Sequence, residues 1–230
     1  MFSRTISLYG QNKFEKIRKS HIVLCGCGGV GSYTFEALVR AGIGKITVID
    51  ADTISESNIN RQIIATLNSV GCRKIDVAIA RAKNISNKTE VIGICSFLDK
   101  DNTKKLIPEN ADFIIDAIDF VPAKIEIAKF AKTHNIPFIT CLGTGNRLDA
   151  TKFKICDIYK TSGCPLARKL RYEFKKEKIE KADVLYSDAE IISPNINFND
   201  GKKAVGSVSF VPSVAGLLLA QHAISKITEE

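Results

Sequence analysis

Three side chains in this sequence could act on a phosphate: Arg61, Lys74 thirteen residues later, and Asp119. Fixed cations beside a polyphosphate act mainly while a bond to phosphorus breaks, because that is when charge builds on the oxygens. Hydride transfer leaves a pyrophosphate intact and needs no such pair, whereas cleavage of ATP does. Asp119 closes the apolar run Phe113-Ile114-Ile115-Asp116-Ala117-Ile118-Asp119. A carboxylate at the end of such a strand can hold the Mg²⁺ that accompanies ATP. Asp116 could share that work, and Asp119 could also cap the helix that starts at Val121 or Pro122.

These groups need a scaffold, and the stretch from His21 to Lys74 supplies most of it. An apolar strand, Ile22-Val23-Leu24-Cys25, breaks into Gly26-Cys27-Gly28-Gly29-Val30-Gly31-Ser32. Gly26, Gly28 and Gly31 form G-x-G-x-x-G, with Gly29 adding a further glycine. This pattern lets backbone N–H groups approach a phosphate at the N-terminus of the following helix. The helix is expected from Ser32 to Ala41. A second strand, Lys45 to Ile49, ends in Asp50, nineteen residues past Gly31, where a carboxylate can accept from a ribose hydroxyl. Asp52 and the run Ser57-Asn58-Ile59-Asn60-Arg61-Gln62 follow. Lys74 then heads a helix to about Asn84, whose Ile75, Ala78, Ile79 and Ala82 recur at helical spacing.

The series G-x-G-G-V-G-S, I-D-x-D, S-N-x-N-R-Q and Lys74 resembles the E1-like activating enzymes, which adenylate a carboxylate with ATP. The resemblance implies that Ser57, Asn58, Arg61 and Lys74 surround the phosphates, with Asp50 on the ribose and Asp119 on Mg²⁺. It also implies a homodimer, in which Arg4, before the turn Leu8-Tyr9-Gly10, reaches the phosphates bound by the other subunit. A solvated Arg4 is the plain alternative. Asp116-Ala117-Ile118-Asp119, Leu185 to Glu190 and Gly206 to Pro212 are similar to the branch that dehydrates threonylcarbamoyladenosine at tRNA position 37. That branch implies a tRNA substrate, and it leaves room for a monovalent cation and a sulfur-trafficking protein partner. Sulfur-carrier activators commonly have two C-x-x-C zinc pairs. The seven cysteines here form no C-x-x-C, so no zinc site is expected. An adenylyltransferase for a ubiquitin-like sulfur carrier remains an alternative, as do an NAD-dependent oxidoreductase and an inactive RNA-binding scaffold.

The rest of the chain continues a β-α-β alternation. Strands are expected at Val91 to Phe97, Asp112 to Asp119 and Ile136 to Cys141, with helices at Asp101 to Leu106 and Pro122 to Thr133. The fold class is therefore α/β: a Rossmann-like, doubly wound, mostly parallel sheet with a mixed C-terminal extension. One domain over 1–230 is expected, with 1–150 as nucleotide-binding core and 151–230 on the acceptor side. Gly143 to Asp149 reads as a loop lining the substrate side. Cys141 could be a nucleophile, but it reads better as a small buried thiol, and His21, His134 and His222 are scattered. Residues 3 to 20 read as an amphipathic helix with Phe14 and Ile17 on one side.

With 230 residues and 45% hydrophobic content, the chain can bury a full core. Its net charge of +8 favours an acidic partner. That excess localises to Arg168, Lys169, Arg171, Lys175, Lys176, Lys178 and Lys181, interleaved with Tyr172 and Phe174. This stretch could contact a tRNA backbone or could be a solvated helix. Met1 to Thr5 lacks the apolar core of a signal peptide, which makes the cytoplasm the default. Ala204 to Ser225 carries no Asp, Glu, Lys or Arg. It is expected to form a strand from Val205 to Val211 and then a buried helix from Pro212 or Ser213, not a membrane span. Phe198 to Lys203 reads as a polar turn.

Overall fold

Short β-branched runs become strands here because helices cover both sheet faces, so nearly continuous apolar sequence can be buried. The computed structural model describes residues 1–162, 164–193 and 205–229. Among them, β1 (His21–Cys25), β2 (Lys45–Ile49), β3 (Glu90–Ile94), β4 (Phe113–Asp116), β5 (Phe138–Cys141), β6 (Phe153–Asp157) and β7 (Asp183–Ser187) form one sheet. Its order is β3-β2-β1-β4-β5-β7-β6. All pairings are parallel except β6 with β7. The expected α/β fold with a mixed C-terminal part is borne out.

The helices are α1 (Ser3–Lys19), α2 (Gly31–Ala41), α3 (Lys74–Ile85), α4 (Thr103–Leu106), α5 (Val121–His134), α6 (Pro165–Lys176) and α7 (Phe210–Thr228). One core joins Ile17, Leu24, Phe35, Leu38, Ile46, Phe113 and Leu219. On the other face Val23, Ile114, Ile127 and Phe130 pack together. A third cluster, with Leu170, Phe174 and Val184, fixes α6. Alpha1 buries Phe14 and Ile17 as expected and breaks at Gly10, whose φ of 75° interrupts the helical backbone.

From β1 the chain builds outward through β2 and β3, and then resumes on the other side of β1 at β4. This reversal opens a crevice at the carboxyl ends of β1 and β4, where ligands bind in sheets of this kind.

Several expected boundaries shift. Beta3 ends at Ile94, not Phe97, because residues 96–98 leave the sheet for the rim of the crevice, and β4 ends at Asp116, not Asp119, because residues 117–120 do the same. The expected strand at Val205 to Val211 does not form. Residues 205–208 are irregular, Gly206 bonds to Asn146 instead of to a strand, and α7 begins at Phe210 with Pro212 in its first turn. Alpha7 is the one described helix long and apolar enough to cross a membrane. It packs on α2 instead: a Cβ at Gly216 would stand 2.3 Å from the Val30 carbonyl oxygen, and Thr34 Oγ1 donates to the Gly216 carbonyl at 3.0 Å. The polar turn expected at Phe198 to Lys203 lies outside the described residues.

Candidate nucleotide and acceptor site

The glycine turn owes its shape to close backbone packing. Gly26 has φ +91°, and a Cβ there would lie 2.9 Å from the Ala117 carbonyl oxygen; one on Gly31 would lie 2.0 Å from that of Gly26. The turn therefore folds tightly against the end of β4 and delivers α2 with its positive end toward the crevice. A cleft of about 590 Å³ opens there. Its walls come from the carboxyl ends of β1 to β5: Gly26, Gly28 and Gly29; Asp50 and Asp52; Phe97; Asp119 and Phe120; and Gly143 to Gly145.

Asn58, Arg61 and Lys74 line the same cleft. Lys74, at the first position of α3, is buried, and its Nζ donates to Asp52 at 2.6 Å and lies 3.6 Å from Asp50. Asp50 in turn accepts from the Cys27 N–H at 2.6 Å and the Asp52 N–H at 2.9 Å. Asp50 thus ties the glycine turn to Lys74, and its two oxygens have lone pairs left for a hydroxyl. Arg61 donates to the Ser57 carbonyl at 2.7 Å and to Asn60 Oδ1 at 2.9 Å, and its side chain runs beside Gly29.

The structure does not bring every expected residue into the cleft. Ser57 is outside the lining and orients Arg61 through its carbonyl. Gly31 serves packing and is also outside the lining. Arg4 is exposed on α1, away from this cleft. Asp116 cannot share Asp119's expected role. It is fully buried, with both oxygens 3.0 to 3.1 Å from Lys124 Nζ and one accepting from Thr140 at 2.5 Å. Asp119 is exposed in the cleft, so its oxygens are accessible.

Three groups escaped the sequence reading. Lys124 is 1% exposed and also donates to the Cys141 carbonyl at 2.8 Å, joining β4, β5 and α5. A lysine in a helix's first turn gives no sequence signal, since lysines there are ordinarily solvated. Gln62 is buried in the cleft wall, and its Oε1 has no partner among the described residues; it stood in view, next to Arg61. Phe97 and Phe120, from the turns after β3 and β4, meet with ring centroids 5.1 Å apart and stay partly exposed in the cleft. Exposed aromatic faces at such a position suit a stacked base.

The residues present suit a nucleoside triphosphate with Mg²⁺. Glycine backbone, two cations, an accessible carboxylate and an orphaned buried amide oxygen converge on one cleft. Among the described residues no cluster of three or more His, Cys, Asp or Glu could hold a metal alone. Asp119 would therefore bind Mg²⁺ together with phosphate oxygens.

Cys141 is buried, and burial pushes its thiol up to about 12. Its neutral form gives no thiolate nucleophile. Cys141→Ala is expected to keep turnover within about twofold of the parent, checked by steady-state pyrophosphate release. His222 pairs with Asp183 at 3.0 Å, at the amino end of β7 and so at the end of the sheet opposite the cleft.

On α6, Arg168, Lys169, Lys175 and Lys176 are exposed, and Lys176 lies 4.2 Å from the centre of the exposed Tyr172 ring. Two of the expected contacts are not available. Phe174 is fully buried in the core beneath α6, and Arg171 donates to the Thr161 hydroxyl and carbonyl. Helical spacing puts Phe174 on the face of Leu170, not of Tyr172.

The ThiF family model matches residues 2–230. A tRNA threonylcarbamoyladenosine dehydratase of Bacillus subtilis is 35% identical over 100% of this chain and 95% of its own. One of Escherichia coli is 32% identical over 98% of this chain and 92% of its own. The crystal structure of an E. coli tRNA N6-threonylcarbamoyladenosine dehydratase in complex with ATP superimposes with a TM-score of 0.89. It is 32% identical, over 98% of this chain and 93% of that one. Cleft, fold and likeness along the whole chain agree: the protein belongs to the ThiF family, in its tRNA threonylcarbamoyladenosine dehydratase branch.

Proposed function

We propose that this protein dehydrates N6-threonylcarbamoyladenosine in tRNA to its cyclic form, using ATP to activate the threonyl carboxylate. The observation that carries the reading is the convergence of Arg61, Lys74, Asp119 and the glycine turn on one cleft that also opens toward the loop after β5. The phosphates lie over Gly26, Gly28 and Gly29 at the start of α2, with the ribose on Asp50. Phe97 and Phe120 offer the base a stacking surface. Asn58, Arg61 and Lys74 face the α-phosphate, and Asp119 and Asp52 border it.

The carboxylate attacks the α-phosphorus, and the bond to the β-phosphate bridging oxygen breaks, giving an acyl-adenylate and pyrophosphate. A nucleophile of the same substituent then attacks the acyl carbon, AMP leaves, and the ring closes with net loss of water. Arg61 and Lys74 stabilise charge on the phosphate oxygens as the first bond breaks. Mg²⁺, when bound, would neutralise part of the polyphosphate charge, with Asp119 as its protein ligand. Ring closure needs no covalent enzyme intermediate, because both partners sit on one substituent. The inert Cys141 agrees with that.

A homodimer in the cytoplasm, working as a single-domain unit, completes the proposal. Arg4 is off its own cleft, and the neighbouring Leu8 is 88% exposed, as a segment that crosses to another subunit would be. The exposed Arg168, Lys169, Lys175 and Lys176 are proposed to hold the tRNA backbone, with Arg171 shaping that helix from its contact with Thr161. Lys169→Glu with Lys175→Glu is expected to raise KM for tRNA and lower the salt slope of binding by about 1 per charge removed. Nucleotide binding, measured by calorimetry, should be unchanged.

The direct test is pyrophosphate release from Mg-ATP with modified tRNA, with unmodified tRNA and with no acceptor. Release only with the modified tRNA, with loss of one water (about 18 daltons) from the nucleoside, supports the reading. Turnover with a protein carboxyl terminus in place of tRNA would overturn it.

A further inference from the structure

Residues 205–207 join the phosphate side of the cleft to its acceptor side. The Ser207 carbonyl accepts from Asn60 Nδ2 at 3.0 Å, while Asn60 Oδ1 accepts from the Arg61 guanidinium at 2.9 Å. At the other end Gly206 and Asn146 exchange two hydrogen bonds. The Asn146 N–H donates to the Gly206 carbonyl at 2.8 Å, and Asn146 Oδ1 accepts from the Gly206 N–H at 2.5 Å. Val205 and Ser207 both line the cleft.

The chain is shaped for this approach. A Cβ on Gly145 would stand 2.3 Å from Val205 Cγ1, so the glycine lets the two segments meet without moving the Val205 side chain. Asn146 has φ +57°, a left-handed backbone that asparagine accepts more readily than most residues. Its carbonyl also accepts from the Ile192 N–H at 2.8 Å. Asn60 uses both ends of its amide, the nitrogen on Ser207 and the oxygen on Arg61, so its orientation is fixed from two sides.

We propose that Asn146 and Asn60 are positioning residues that hold Val205–Ser207 as a strap along the acceptor side of the cleft. The strap gives the incoming carboxylate-bearing nucleoside a fixed wall and, through Asn60, sets the direction of the Arg61 guanidinium. Entry of the acceptor and orientation of the phosphate-side cation are thereby tied to one short segment. This inference rests on the proposed dehydratase reading.

Asn146→Gly keeps the left-handed backbone and removes Oδ1, whereas Asn146→Asp keeps both the acceptor and the backbone tolerance. Steady-state pyrophosphate release with modified tRNA is measured for each variant, alongside calorimetric Mg-ATP binding and thermal unfolding. Loss of one hydrogen bond to the strap in Asn146→Gly is expected to raise KM for the modified tRNA about tenfold. Its Mg-ATP affinity and Tm should stay at parent values, and Asn146→Asp should restore KM. Asn60→Asp, which loses the donor to Ser207 but keeps the acceptor for Arg61, should raise the same KM.

A parent-like KM in Asn146→Gly overturns the proposal, as does failure of Asn146→Asp to restore it or a parallel loss of Mg-ATP affinity. A parent protein inactive on modified tRNA overturns the dehydratase reading and the strap with it. An active parent beside an unaffected Asn146→Gly overturns the strap alone.

Discussion

Replacing Arg61 by alanine is expected to lower tRNA-dependent pyrophosphate release by about 10²- to 10³-fold, the usual effect of removing one donor aimed at developing charge. The protein should remain folded. Arg61 is only partly buried, and its observed partners are the Ser57 carbonyl and Asn60 Oδ1, both in exposed residues that water can satisfy once the guanidinium is gone. Single-turnover measurement of pyrophosphate release, with Mg-ATP affinity measured separately, separates this effect from weaker binding. A transition-state role lowers the rate constant far more than the affinity. A variant that released pyrophosphate at the parent rate would remove Arg61 from the mechanism. Lysine at this position should recover little. One guanidinium nitrogen already holds Ser57 and Asn60, and among the described residues the other N–H groups stay free for phosphate oxygens. A single compact ammonium cannot reproduce that division of donors.

The largest effect on stability is expected from Lys124→Met. The variant leaves the Asp116 carboxylate in a fully buried position with only the Thr140 hydroxyl and, at 3.2 Å, the Ile118 N–H. An uncompensated buried charge of this kind costs about 3–5 kcal/mol. Adding Asp116→Asn removes the charge and should recover most of the loss, since a neutral buried pair no longer needs its counterion. Urea denaturation of the two single variants and the double variant checks this, with the midpoint shift at constant slope as the measure. Additive losses in the double variant would show that the two groups do not act as a pair. The pair lies under the turn that carries Asp119, so the single variant should also bind Mg-ATP more weakly.

Local pattern was enough to read the nucleotide half of the site. The strand, glycine turn, helix, strand and Asp50 follow one another without long interruptions, and each is set by backbone constraints visible in residue type: Gly26 needs a positive φ, and Gly31 needs contact closer than a side chain allows. Lys74 at the head of α3 and the cleft-lining Gly143 to Gly145 were legible for the same reason. The rest depends on packing between distant segments. Nothing in Asp116-Ala117-Ile118-Asp119 shows that the first carboxylate is consumed by a lysine eight residues away while the second stays open. Phe174 and Tyr172, two apart, look equivalent in sequence, but α6 turns one into the third cluster and the other to solvent. The alternating valines and phenylalanine after Ala204 carried a strand signal. Pairing with the loop after β5 and the early start of α7 overrode it.

The placement of α7 and β7 makes assembly during synthesis wait for the end of the described chain. Beta6 emerges before β7, yet among the described residues the only strand it pairs with is β7, which sits between it and β5. Alpha7 emerges later still, although its Gly216 presses against Val30, at the phosphate end of α2. At about 5–20 residues per second, the glycine turn would wait roughly ten seconds or more in the nascent chain for the helix that backs it. A ribosome-bound chain stopped before residue 210 should therefore hold the first five strands without a competent nucleotide site. The protein would gain its ATP affinity only once α7 has emerged and packed on α2.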